Sequence, residues 1–160
     1  MSNGPSASPH NIGVDFLVAQ IGAHAATLFA ERLKPLKLTP AQAGILRIIN
    51  AENGISQKGV AKRLNMYESR LVSVLDEMER MNLVERKASS NDRRFYELHL
   101  TARGKDKLRA IAKVAQEHRA ALLAGLTQEE MEILGVLLAK IAEQQHLTPG
   151  VHPGYRELGK

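Results

Sequence analysis

Ser56-Gln57-Lys58-Gly59-Val60-Ala61-Lys62-Arg63-Leu64, followed by Ser69-Arg70-Leu71-Val72-Ser73-Val74-Leu75-Asp76-Glu77-Met78-Glu79-Arg80-Met81, is the stretch on which the reading of this chain turns. The spacing predicts two short helices in tandem. In the second, Leu71, Val74, Leu75, Met78 and Met81 recur at helical intervals, so one face is apolar and packs inward. The tandem runs on into Leu83-Val84-Glu85-Arg86-Lys87, then Ala88-Ser89-Ser90-Asn91-Asp92-Arg93-Arg94, then Phe95-Tyr96-Glu97-Leu98-His99-Leu100. Two strand-like runs joined by serine, asparagine and aspartate predict a β-hairpin with a charged tip.

Helix, tight link, helix and hairpin is the layout of a winged helix-turn-helix, which reads double-stranded DNA. The second helix is the expected reader. Its first turns carry Ser69, Arg70 and Ser73 opposite the apolar face, short donors and one guanidinium suited to base edges and phosphates. A helix entering a major groove presents those first turns. On the wing, Arg93 and Arg94 suit a minor groove, where negative potential attracts arginine; Asp92 is placed to pair with one of them or to cap the turn. The expected DNA contacts are Ser56, Gln57, Lys58 and Lys62 on the first helix, Tyr67, Ser69, Arg70 and Ser73 at the head of the second, and Arg93 and Arg94. The competing readings are an ordinary amphipathic helix with a solvated face and a merely soluble loop. The order of all the parts favours the reader.

Four blocks carry a resemblance: Leu64 to Met81, Asn82-Leu83-Val84-Glu85-Arg86, Asn91-Asp92-Arg93-Arg94, and Leu100-Thr101-Ala102-Arg103-Gly104. In this order and spacing they resemble the MarR family of winged helix-turn-helix regulators. That family shows a recognition helix, a Gly-Leu-Val-Glu-Arg-like strand, a wing with Asp-Arg-Arg and a Leu-Thr-x-x-Gly helix start. Less specifically, the likeness extends over residues 12–145. Two departures stand out. Asn82 replaces a glycine, and asparagine is the next best residue for left-handed backbone. Tyr67 replaces a small capping residue, and Asn65 with Glu68 is expected to supply a substitute capping box.

The resemblance implies a homodimer joined through its terminal helices, with recognition helices and wings splayed beneath on a palindromic operator. It also implies release of DNA by a small, often aromatic or anionic, effector held between the dimer helices and the DNA lobe. The residues it points to are Phe16, Gln20, His24 and Arg47, with Arg47 pairing an anion and His24 hydrogen-bonding it. For Arg47 the competing reading is a salt bridge or a solvated side chain.

Composition agrees with a helical DNA binder. The 160 residues make one domain, tryptophan and cysteine are absent, and aromatic residues are 4% of the chain. Without cysteine there are no disulfides, thiolate zinc sites or thiol redox chemistry. No run approaches the roughly 20 apolar residues of a membrane span, and no apolar leader core is present, so a cytoplasmic location is expected. The net charge is +5, and its distribution matters more than its size. Residues 56–109 hold 13 basic and 8 acidic side chains, so +5; residues 1–55 hold 4 and 3, so +1; residues 110–160 hold 5 and 6, so −1. The excess sits on the segment expected to meet phosphates.

The expected fold is mostly α with a small β-wing. Residues 1–11 read as disordered. Residues 12–146 read as one unit, with a DNA-binding lobe over about 38–100 and dimerisation helices over 12–35 and 101–146. Pro35 ends the first helix. Thr39-Pro40-Ala41-Gln42 starts the next with a threonine cap, proline and a returning glutamine, and Asn53-Gly54 stops it. Ile55 is expected to join the wing sheet and Ser56 to cap the following helix. Thr101 caps a long helix ended by Gly125, and Thr127-Gln128-Glu129-Glu130 opens the last one. The tail 147–160, with Pro149, Gly150, Pro153 and Gly154, reads as irregular.

No enzyme chemistry is legible. His10, His24, His99, His118, His146 and His152 show no metal-ligand spacing, and no phosphate loop or nucleophile elbow is present. No metal or cofactor is expected. The function expected is a dimeric, sequence-specific DNA-binding transcription regulator, a repressor released by a small effector. The alternatives are a ligand-independent regulator and a non-specific architectural DNA binder.

Overall fold

The computed structural model describes residues 12–89, 95–152 and 155. Six helices and one hairpin follow in order: α1 (Val14–Leu33), α2 (Pro40–Ala51), α3 (Gln57–Leu64), α4 (Glu68–Arg80), β1 (Val84–Ala88), β2 (Tyr96–Leu100), α5 (Ala102–Leu122) and α6 (Gln128–Gln144). A single 3-10 turn, residues 34–36, links α1 to the loop before α2.

Local chemistry sets most boundaries. Thr39 caps α2 in a full capping box: its hydroxyl accepts from the Gln42 amide, and the Gln42 side chain accepts from the Thr39 amide. Ser56 and Thr101 cap α3 and α5 through the amides of Gly59 and Gly104. Thr127 and Glu130 form a second capping box on α6. There the Thr127 backbone N–H, and then its hydroxyl, hold the Glu130 carboxyl below its ordinary value. α5 stops at Leu122, three residues before the glycine expected to end it.

The core lies in the lobe built by α2, α3, α4 and the hairpin. Ile45, Leu46, Ile49, Leu64, Leu71, Leu75 and Met78 are fully buried there. Each large apolar side chain so buried contributes about 1.5–3 kcal/mol. β1 pairs antiparallel with β2, Val84 opposite Leu100 and Ala88 opposite Tyr96; β1 runs one residue later than the sequence reading placed it, while β2 starts one residue later and ends, as expected, at Leu100. Gly54 donates to the Leu98 carbonyl (3.1 Å) and Leu98 to that of Ile55 (3.0 Å), so Ile55 does join the wing sheet. His99 is tied back to the α2–α3 turn, its Nδ1 2.9 Å from the Asn53 side-chain oxygen.

Where the lobe meets α5, the packing is tight. Asn82 adopts left-handed backbone (φ 55°), as the asparagine-for-glycine reading expected. The Thr101 hydroxyl donates to the Asn82 carbonyl (2.6 Å), and the Thr101 amide to that of Leu83 (3.2 Å). Gly104 lies so close that any side chain there would strike the Leu83 carbonyl.

The terminal helices are different in kind. Leu33 is the one buried residue of α1, and α6 has none. Phe16, Val18, Ile21, Val136, Leu137 and Ile141 all stand exposed. α1 packs along α5, but the two terminal helices leave their apolar stripes uncovered.

The tail contains structure that its composition did not announce. Val151 packs against the core, and Tyr155, only 8% exposed, is seated on α2.

Candidate nucleic-acid interface

α3 and α4 are joined by Asn65, Met66 and Tyr67, and Asn65 makes the turn. It ends α3 in left-handed conformation (φ 52°), its amide donating to the Ala61 and Lys62 carbonyls. This corrects the expected Asn65–Glu68 capping box: Asn65 closes the helix behind it rather than opening the one ahead. Met66 then turns into the core and Tyr67 takes the N-cap position of α4, with no side chain capping that helix. The head of α4 therefore keeps backbone N–H groups and the positive end of the helix dipole facing outward, an arrangement suited to a phosphate oxygen.

Around that head the expected contacts fall into place unequally. Tyr67 is 67% exposed, and Ser69 and Ser73 are exposed beside it. Leu71, Leu75 and Met78 anchor the opposite face in the core. The Ser73 hydroxyl donates to the Arg70 carbonyl (2.9 Å), so in this rotamer it offers a base edge its lone pairs. Arg70 is half-buried and already engaged within the chain, so it is less fully presented than its neighbours. On α3, Lys58 and Lys62 are exposed, Gln57 is half-buried and Ser56 is occupied as the cap. Arg93 and Arg94 lie outside the described residues. At the near end of the wing, Phe95 and Tyr96 are exposed aromatic residues that the sequence reading passed over. Their signal was the scarcity of aromatics beside an arginine pair.

Not all the basic excess faces outward. Arg86 binds Asp76 (2.8 Å) and Glu79, clamping β1 to α4, and is itself largely buried. Arg63 pairs with Glu52. These guanidiniums serve the frame of the lobe, leaving Lys58 and Lys62 as exposed cations on α3.

The four residues grouped as an effector site are not brought together. His24 lines a cavity of about 560 Å³ between α1, α5 and α6, with Arg32, His118 and Leu134. Arg47 lines a separate cavity of about 260 Å³ between α1, α2 and α5, with Phe29, Gly44, Ile111 and Tyr155. Phe16 and Gln20 are exposed on α1 and line neither. The Arg47 guanidinium donates to the Gly150 carbonyl. Beside the first cavity, His118 meets Phe29 in a tilted ring contact (centroids 5.4 Å apart), and burial, then Arg32, holds its pKa below the ordinary value. Among the described residues no cluster of histidines and carboxylates is arranged to hold a metal, and no helix is long and apolar enough to cross a membrane.

Residues 38–95 match the sequence profile of the MarR family. The fold is similar to that of wild-type MarR from E. coli in its apo form, at 28% identity and a TM-score of 0.71, covering 81% of this chain and 97% of that one. It is similar to CouR, a transcriptional repressor bound to a 23-mer DNA duplex, at 27% identity and a TM-score of 0.74, covering 88% and 99%. It also matches a mutant MarR from E. coli complexed with operator DNA, at 26% identity and a TM-score of 0.70, covering 86% and 99%. Residues 38–95 thus match the MarR family, and the chain as a whole shares the fold of winged-helix transcription regulators solved with and without DNA.

Proposed function

We propose that the protein is a homodimeric repressor that holds a palindromic operator and is released from it by a small aromatic or anionic effector. The observation that carries the DNA half is the head of α4. Its apolar face is fixed in the core while Tyr67, Ser69 and Ser73 and the uncapped amides stand outward. These residues are the base readers of the proposal; Lys58 and Lys62, with Arg93 and Arg94 on the wing, hold phosphates and the minor groove.

The dimer rests on uncovered apolar surface. Among the described residues, most of the large exposed hydrophobics lie on α1, α6 and the residues just outside them. A monomer would leave them in water; a two-fold pair buries both stripes together. Two recognition helices then meet half-sites about 34 Å apart. Effector release rests on the two cavities, one beside α1, α5 and α6 and the other beside α1, α2 and α5, mainly apolar in their walls and each holding an arginine, Arg32 in the first and Arg47 in the second.

The test is anisotropy titration of labelled DNA from upstream of the protein's own gene against a scrambled duplex, with sedimentation to fix the stoichiometry. Two chains per site and a preference of about 10³ or more are expected. Equal affinity for both duplexes would make the protein an architectural binder instead. A panel of aryl carboxylates and phenols added to the operator complex tests release; a complex that none of them weakens would favour the ligand-independent regulator.

A further inference from the structure

Tyr155 occupies a slot that the helix beneath it has been cut to admit. Its hydroxyl donates to the Pro40 carbonyl across 3.1 Å. Its ring lies 3.1–3.3 Å from the point where a Cβ on Gly44 would sit. Gly44 is in the interior of α2, where glycine costs about 1 kcal/mol relative to alanine. Its backbone does not require glycine, but a Cβ there would force the Tyr155 ring to give by a few tenths of an ångström. The Arg47 guanidinium holds the tail by the Gly150 carbonyl, and Val151 packs against the core. Phe29 and Ile111 close the cavity alongside the phenol. Burial raises the Tyr155 pKa, partly offset by Arg47, so the ring enters as a neutral phenol.

We propose that Tyr155 is a tethered ligand of the α1–α2–α5 cavity, and that free para-substituted phenols bind there by displacing it. The regulatory meaning of this competition rests on the reading of the cavity as an effector site; the competition itself does not. A short tether gives the phenol an effective concentration in the millimolar range. If the tail is seated nine-tenths of the time, a free competitor binds about tenfold more weakly than its intrinsic affinity allows. The anchor also lies close to the recognition helix. Pro40 opens α2, and Gln42, two residues on, donates to Glu77 of α4 (3.2 Å).

The experiment uses the full chain and p-cresol, the tyrosine side chain freed of its backbone. Amide NMR shifts at Gly44 and Ala112 give its affinity for the wild type, Tyr155→Phe and Tyr155→Ala. About tenfold tighter binding to Tyr155→Ala is expected, with Tyr155→Phe between, since it keeps the ring and loses the bond to Pro40. A second arm needs no variant. Tetranitromethane should nitrate Tyr67 and Tyr96, 67% and 58% exposed, and spare Tyr155; since p-cresol also consumes the reagent, the readout is the Tyr155-to-Tyr67 nitration ratio, which should rise when p-cresol is added. Equal affinities, no binding to either wild type or Tyr155→Ala, or nitration of Tyr155 as fast as Tyr67 would overturn the proposal. Neither arm reads DNA. A protein that shows the competition but binds no operator would refute the proposed function and leave the tethered ligand standing.

Discussion

The side-chain amide of Gln42 donates to the Glu77 carboxylate across 3.2 Å, joining the first turn of α2 to the last turn of α4. Gln42 is the one buried polar residue among those described, 4% exposed, and its side-chain oxygen also accepts from the Thr39 amide. One side chain therefore closes a helix cap and braces the recognition helix.

Removing it should cost both bonds. Gln42→Leu is expected to destabilise the protein by about 1–2 kcal/mol in urea unfolding, the scale of one cap plus one hydrogen bond to a charged group. Glu77→Ala should cost less than half as much, since Glu77 is exposed and the cap survives. Equal losses would mean that the brace outweighs the cap.

A charge in the middle of the uncovered stripe should separate the subunits. Leu137→Glu places a carboxylate on the exposed face of α6 without touching the lobe core. Sedimentation at micromolar concentration should shift from dimer to monomer, and operator affinity should fall by about tenfold or more as the second half-site is lost. A dimer that survives Leu137→Glu would put the interface elsewhere.

Base reading and phosphate holding separate in a salt titration. Ser69→Ala should weaken the operator complex more than the random one, by about 1–3 kcal/mol of discrimination if it touches a base edge. Lys62→Ala should weaken both duplexes alike and lower the salt slope by about one per contacting subunit. The reverse pattern would mean that α3, not α4, lies deepest in the groove.

His118 predicts acid sensitivity. Its folded pKa lies below the ordinary 6.5 because burial, and then Arg32, oppose the charged ring. Below about pH 6.5 the unfolded chain takes up the proton first, so stability falls as pH drops from there toward the folded pKa. Above it the ring is neutral in both states and the effect vanishes. His118→Phe should flatten this slope below pH 6.5 in thermal unfolding; an unchanged slope would assign the sensitivity to another group.

Much of the lobe was legible because its signals are local. Thr39-Pro40-Ala41-Gln42 contains every atom of its capping box, and Asn82 carries its left-handed turn whatever surrounds it. Asn65 was misread because asparagine serves equally well as an N-cap and as a left-handed C-cap. What decides is that Met66 has to reach the core, which no local rule states. The effector grouping divides between two cavities for a related reason. Spacing along α1 does not say which cavity a side chain lines, and the partner of Arg47 is a carbonyl 103 residues away. Tyr155 gave no periodic signal at all. Its hydroxyl bonds across 115 residues, and its trace in the sequence is a glycine inside α2 that helix propensity alone would not have chosen.

The junction of Asn82, Leu83, Thr101 and Gly104 has a consequence for how such a regulator diversifies. With α5 pressed against the Leu83 carbonyl and two hydrogen bonds closing the gap, the lobe and the root of the long helix form a single rigid piece. No hinge is left there to absorb a change of angle. In the proposed dimer, the distance between half-sites is then governed by α1, α6 and the far end of α5, while the bases read are governed by the head of α4. Mutations of the two kinds fall on separate surfaces, so a lineage can drift toward a new operator spacing and a new operator sequence one at a time.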